Sequence, residues 1–221
     1  MSAPIRLASA VAALALLCAS CALTSKADSV FFRYFTPERL SPRSGAATGA
    51  DASTLQLRLG RVTSASYLKE PIAFRESESE VGFYEQLLWT ERPEAYLRRA
   101  TSRTLFEERH LRQIVGGPGP TLEVELAVFE ELRAPRHAAR VVLSWMLRSD
   151  QLVVAQRTLT VEHPIGSAKG DAQANAVATA MGDALGEAID GMAAAVVTEL
   201  SRLPAPAPTP APASSTAAVE H

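Results

Sequence analysis

Residues 121–130 read TLEVELAVFE, and this stretch constrains the fold more tightly than any other in the chain. Leu122, Val124, Leu126 and Val128 alternate with Glu123, Glu125 and Ala127. A period of two is the mark of a strand with one buried and one wet face. One wet face is what antiparallel sheets permit. The run GGPGP at residues 116–120 breaks the chain just before this strand. Beyond it, residues 140–148 and 152–161 are two more apolar runs. Between them lies Ser149-Asp150-Gln151, a polar connection that suits a hairpin.

Working outward, the C-terminal side predicts a helix. Val177, Met181, Ala184, Ala188, Met192 and Ala195 recur at helical spacing after a candidate N-cap at Asp171, and the small residues would let the helix lie close to a sheet. On the N-terminal side a second helix opens at Pro93, where the missing N–H costs nothing. Tyr96, Leu97, Ala100, Thr104 and Leu105 form its apolar face, opposite Arg98, Arg99 and Arg103. Leu55, Leu57 and Leu59 alternate with Gln56 and Arg58 as a strand. Residues 72–75 and 81–88 are two more strands, joined by Glu76-Ser77-Glu78-Ser79-Glu80. Residues 30–35, VFFRYF, form a first aromatic strand stopped by Pro37, and residues 41–53 a loop. The expected fold is α+β: a mostly antiparallel sheet of about six or seven strands with two helices packed against it.

The ends of the chain carry different signals. A basic start at Arg6, an uncharged run over residues 7–17 and Cys-Ala-Ser-Cys at 18–21 make up a secretory signal with a lipoprotein cleavage site. The apolar run is shorter than the ~20 residues a spanning helix needs. Ala19 and Ser20 precede Cys21, so Cys21 is the expected lipidation site, although Cys18 stands where lipoproteins usually carry Leu. Secretion without lipid, with cleavage near Ala22, is the other reading of this segment. The expected organisation is a signal peptide at 1–20, a lipidated tether at 21–29, a domain at 30–202 and a Pro/Ala-rich tail at 203–221. From 204 to 212 proline recurs at every second position, which favours an extended arm. That arm reads as a spacer or disordered segment, or as a docking peptide.

Composition narrows the function. Loss of Arg6 with residues 1–20 leaves 21 basic against 24 acidic residues, a net charge of −3, and nothing in the pattern suggests nucleic acid. Both cysteines lie at or before the cleavage site, which rules out a disulfide, a thiol nucleophile or Cys-ligated zinc within the 30–202 domain. No cofactor is expected.

Polar clusters give little sign of catalysis. Glu76, Glu78 and Glu80 alternate with serines as a solvated turn does. His110, His137 and His163 are far apart and read as surface or helix-end residues, outside any metal-ligand spacing. The 116–120 run lacks the Lys and Ser/Thr of a phosphate loop and reads as a linker. Ser144 sits in an apolar strand and lacks a GxSxG turn. The chain is therefore expected not to be an enzyme. Phe83, Tyr84 and Trp89 precede the Pro93 helix and either pack between sheet and helix or present a partner-binding edge, with Tyr84 and Trp89 the candidate partner-binding residues. Trp145 reads as core.

The lipobox at Cys21, the aromatic strand at 30–35, the segment VGFYEQLLWTERPEAYLRRA at 81–100, the acid-alternating strand at 122–130, the hairpin and the closing Ala-rich helix together resemble the ABC-type transport auxiliary lipoprotein family, which includes the lipoprotein of the paraquat-inducible operon. The resemblance spans roughly residues 28–202 and is most specific at Tyr84, Trp89 and Pro93. It implies a periplasm-facing lipoprotein that accompanies an ABC permease and ATPase and an MCE-domain periplasmic protein, in a system that moves lipids or other hydrophobic compounds between membranes. Ala22, in place of the aspartate that would favour inner-membrane retention, points to the inner leaflet of the outer membrane. An assembly lipoprotein that stabilises an outer-membrane or secretion complex is the alternative. Self-association through an exposed edge at 30–35 is a further expectation.

Overall fold

The computed structural model describes residues 31–37, 54–149 and 152–204. The chain divides between Phe32 and Arg33, and every strand and helix of the described residues belongs to the second unit, which begins at Arg33. The signal peptide, Cys21, the tether, the 41–53 loop, Asp150, Gln151 and all but the first two residues of the 203–221 tail lie outside the described residues.

Three long strands form the frame: β6 (Thr121–Leu132), β7 (Ala138–Ser149) and β8 (Leu152–Pro164). They pair antiparallel in sequence order, with Leu122 opposite Leu147, Val124 opposite Trp145 and Leu143 opposite Leu159. The expected alternation holds through Leu126, and Leu122, Val124 and Leu126 are all buried. It then shifts, because one extra residue enters β6 between Leu126 and Val128. A bulge of this kind moves the following side chains to the opposite face. Phe129, in place of Val128, takes up the inward position opposite Val141.

The free edge of β6 is shared by two strands in succession. β2 (Gln56–Ser64) runs parallel to its first half, ending at Ser64 opposite Leu126. β3 (Pro71–Arg75) runs parallel to its second half, with Ala73 opposite Glu130. β4 (Val81–Trp89) returns antiparallel to β3. Two short strands complete the sheet, β1 (Arg33–Phe35) parallel to the end of β4 and β5 (Arg112–Gln113) parallel to the start of β2. The sheet thus has eight strands among the described residues and is mixed, not mostly antiparallel. Parallel neighbours need a long crossover. Here α1 (Pro93–Ser102) and the π-helical turn Arg103–Glu108 supply it between β4 and β6. The first strand is also shorter than the sequence suggests, since pairing on β4 starts at Arg33.

Both helices lie on one face of the sheet. α2 (Asp171–Ser201) packs on β6, β7 and β8, and α1 on β2 and β6. The helix α2 starts with Asp171 as its first residue, and the cap is Gly170 at φ +55°, a left-handed conformation that suits glycine. Val177, Met181, Ala184, Ala188 and Met192 line its buried face as expected, with Val196 in place of the half-buried Ala195. The expected α1 stripe is continuous, but its last members, Thr104 and Leu105, are buried in the π-helical turn. No helix of the described residues is long and apolar enough to cross a membrane.

Candidate functional site

The C-terminal end of β6 carries two consecutive buried carboxylates. Glu130 is 0% and Glu131 2% exposed, a placement an acidic residue tolerates only when paired. Successive strand residues point to opposite faces, so the two are served by different partners. β3 brings Arg75 to Glu130, with Nε donating to Oε1 at 2.5 Å and Nη2 to Oε2 at 3.0 Å. On the other face, the Tyr84 hydroxyl donates to Glu131 Oε2 at 2.6 Å, and His137 Nε2 lies 2.5 Å from Oε1. Arg133 Nε stands 3.6 Å from Glu131 Oε2 and the same side chain also pairs with Glu76. Its guanidinium lies 3.5 Å from the Phe74 ring centroid and 5.0 Å from that of Tyr84, a cation held over two rings.

Burial, followed by the hydrogen bond to Glu131, pushes the Tyr84 hydroxyl above its ordinary pKa. Burial and then the charge of Glu130 push Tyr67 the same way. At this end the nearby cations are taken up by buried carboxylates, and the arrangement does not set a nucleophile against a base. Its chemistry is that of a latch: it fixes β3 and β4 to the end of β6. Among the described residues no group of three His, Cys, Asp or Glu side chains converges as metal ligands would.

Fixing β4 matters because its outer side is largely open. Of its nine residues, Leu87, Leu88 and Trp89 pair with β1, and the last rung is the Thr90 N–H donating to the Phe35 carbonyl at 2.9 Å. Residues 81–86 have no strand on that side among the described residues. Across from them stands the first turn of α2, tied to β1 by Arg33, which donates to Asp171 Oδ1 at 2.9 Å and to Asn175 Oδ1 at 3.0 Å. A groove of about 510 Å³ lies between, lined by Phe74, Phe83, Tyr84, Leu87, Gln173 and Ala174 among others.

The structure separates the two aromatic residues singled out in the sequence. Trp89 is 1% exposed and stacks on Phe129 with ring centroids 5.1 Å apart, so it belongs to the core and has no face to offer a partner. Tyr84 is half-buried at the groove, and Phe83 is exposed. Trp145 is core. His137 departs from the surface reading, since it is a partner of buried Glu131; His163 pairs with Glu187 at 2.8 Å and His110 is exposed at φ +57°. Glu78 and Glu80 are exposed in their turn, as expected, whereas Glu76 is held by Arg133. Residues 116–120 form the linker into β6, where the Gly117 carbonyl accepts from Arg58. Ser144 meets Thr158 across the hairpin at 2.9 Å. Sequence reasoning missed Glu130, Arg75 and Arg133. The one available signal was Glu130-Glu131 interrupting an apolar strand.

A mixed sheet with both helices on one face, a charged latch at one end and an open strand edge beside a groove defines a class of binding domain. Solved structures share this fold: a Xanthomonas campestris protein of the DUF330 family matches at 22% identity and a TM-score of 0.62, covering 76% of this chain and 95% of that one. An uncharacterized protein of known crystal structure matches at 15% identity and a TM-score of 0.57, covering 77% and 99%. No curated protein matches the sequence. The model of one family, described as the ABC-type transport auxiliary lipoprotein component, matches residues 39–193. The chain belongs to that family.

Proposed function

We propose that this protein is the non-catalytic docking subunit of a transport system that moves lipids or other hydrophobic compounds between the two membranes of the envelope. In this reading a lipid on Cys21 holds it at the inner leaflet of the outer membrane. Its domain binds an MCE-domain periplasmic protein, and the ABC permease and ATPase of the same system supply the energy. The observation that carries the proposal is the family match across most of the domain. Two features support it: the site's charged groups are engaged with one another in a latch, and the surface beside them is a groove with an open strand edge. Ala22 after the lipidated cysteine supports outer-membrane sorting.

Crosslinking in cells tests the partner. The expected result is an adduct between this chain and the MCE-domain protein encoded with it. Recovery of an outer-membrane or secretion assembly and no MCE-domain protein would overturn the transport reading. Mass spectrometry of the mature N-terminus tests the anchor, and an unmodified Cys21 would remove it.

A further inference from the structure

The open side of β4 has the chemistry of a place for one more strand. Six residues, 81–86, span about 20 Å at ~3.3 Å each. Alternate backbone N–H and C=O groups of a strand point to each side, and on this side no described strand takes them up. The same edge already accepts a strand further along, where β1 pairs with Leu87, Leu88 and Trp89. Beside the edge runs the groove lined by Phe83, Tyr84 and Leu87, so an added segment would gain both backbone rungs and side-chain burial.

Charge limits what that segment is. Glu78 and Glu80 are exposed in the turn that leads into β4, and Glu85 is exposed on the strand itself. The cations closest to this edge are already engaged: Arg33 by Asp171, Arg75 by Glu130, and Arg133 by Glu76. A second copy of this chain pairing through the same edge would set Glu80 and Glu85 of both copies along one short ladder, and like charges on facing strands repel. We infer that residues 81–86 of β4 accept an extended segment of a partner polypeptide as an added strand, and that this segment alternates apolar residues with Lys or Arg.

The inference deepens the docking reading and rests on it, by naming the kind of segment that docks. The probe is a capped eight-residue peptide alternating Lys and Val, added to the full mature chain in detergent, with amide hydrogen exchange as readout. Outward amides of residues 81–86 should exchange at least tenfold more slowly with the peptide. The same peptide with its amides N-methylated, and one alternating Glu and Val, should give no such slowing. The triple variant Glu78→Gln, Glu80→Gln, Glu85→Gln should weaken Lys/Val binding several-fold. Unchanged exchange at millimolar peptide, or equal protection by either control peptide, would overturn the inference. So would a dimer by light scattering in which these amides are already protected without peptide. If the MCE-domain protein is crosslinked equally well by the triple variant, the partner docks elsewhere and only the strand inference falls. If the peptide adds as described and no MCE-domain protein is ever recovered, only the transport reading falls.

Discussion

Arg75 grips Glu130 at two points across neighbouring parallel strands, although the two residues are 55 positions apart in sequence. Glu130 is fully buried, so its charge depends on that guanidinium. The pair is where β3, and β4 behind it, are tied to the central strand.

Removing one member should cost far more than removing both. Arg75→Met leaves a buried uncompensated carboxylate, and a loss of about 3–5 kcal/mol is expected in urea denaturation. The double variant Arg75→Met, Glu130→Leu should recover most of that loss. A single variant as stable as the wild type would mean that Glu130 finds another partner.

Two glycines of α2 should respond to alanine with opposite signs. Gly186 has open space where a Cβ would stand, so Gly186→Ala should stabilise by about 0.5–1 kcal/mol through helix propensity. At Gly182 the same Cβ would come 2.6 Å from the Pro37 carbonyl oxygen, a backbone atom. Gly182→Ala should therefore destabilise by about 1–3 kcal/mol, the range for overpacked sites. Thermal or urea melts of the two variants side by side check the reversal.

Of the four tyrosines, Tyr67 and Tyr84 should ionise late. Burial comes first in raising each above 10.0, followed by the nearby glutamate. A raised folded value means that the neutral hydroxyl is favoured in the native state. This contribution to stability is full below pH 10.0 and is lost as pH rises through the folded values. Tyrosinate absorbance should show a late phase that shrinks in Tyr84→Phe. A single phase at the ordinary value, with the protein still folded, would contradict the latch geometry.

The parts of the fold legible in the sequence are those whose contacts are local. Alternation from Leu122 to Leu126, the hairpin after Arg148 and the spacing from Val177 to Met192 each report a face that neighbouring residues share. The same alternation cannot say which strand lies alongside, so the parallel pairing of β2 and β3 with β6 is hidden in it, and a mostly antiparallel sheet is the natural expectation. Val128 misleads because a bulge has no marker in apolar periodicity. Glu130 and Glu131 look wet in sequence because their partners, Arg75 and Tyr84, are supplied by strands far upstream. The split between Tyr84 and Trp89 likewise depends on Phe129, which the local sequence does not connect to either.

Because β6 is the strand on which β2 and β3 are both registered, the order of synthesis works against the N-terminal half. β2 and the β3–β4 pair leave the ribosome before residues 121–132 exist, so Leu57, Val62 and Ile72 have no sheet to close over them. β6, β7, β8 and α2, by contrast, are contiguous and joined by short connections. While it is being made, the first half of this chain is a client for holding chaperones, and the arrival of β6 releases it.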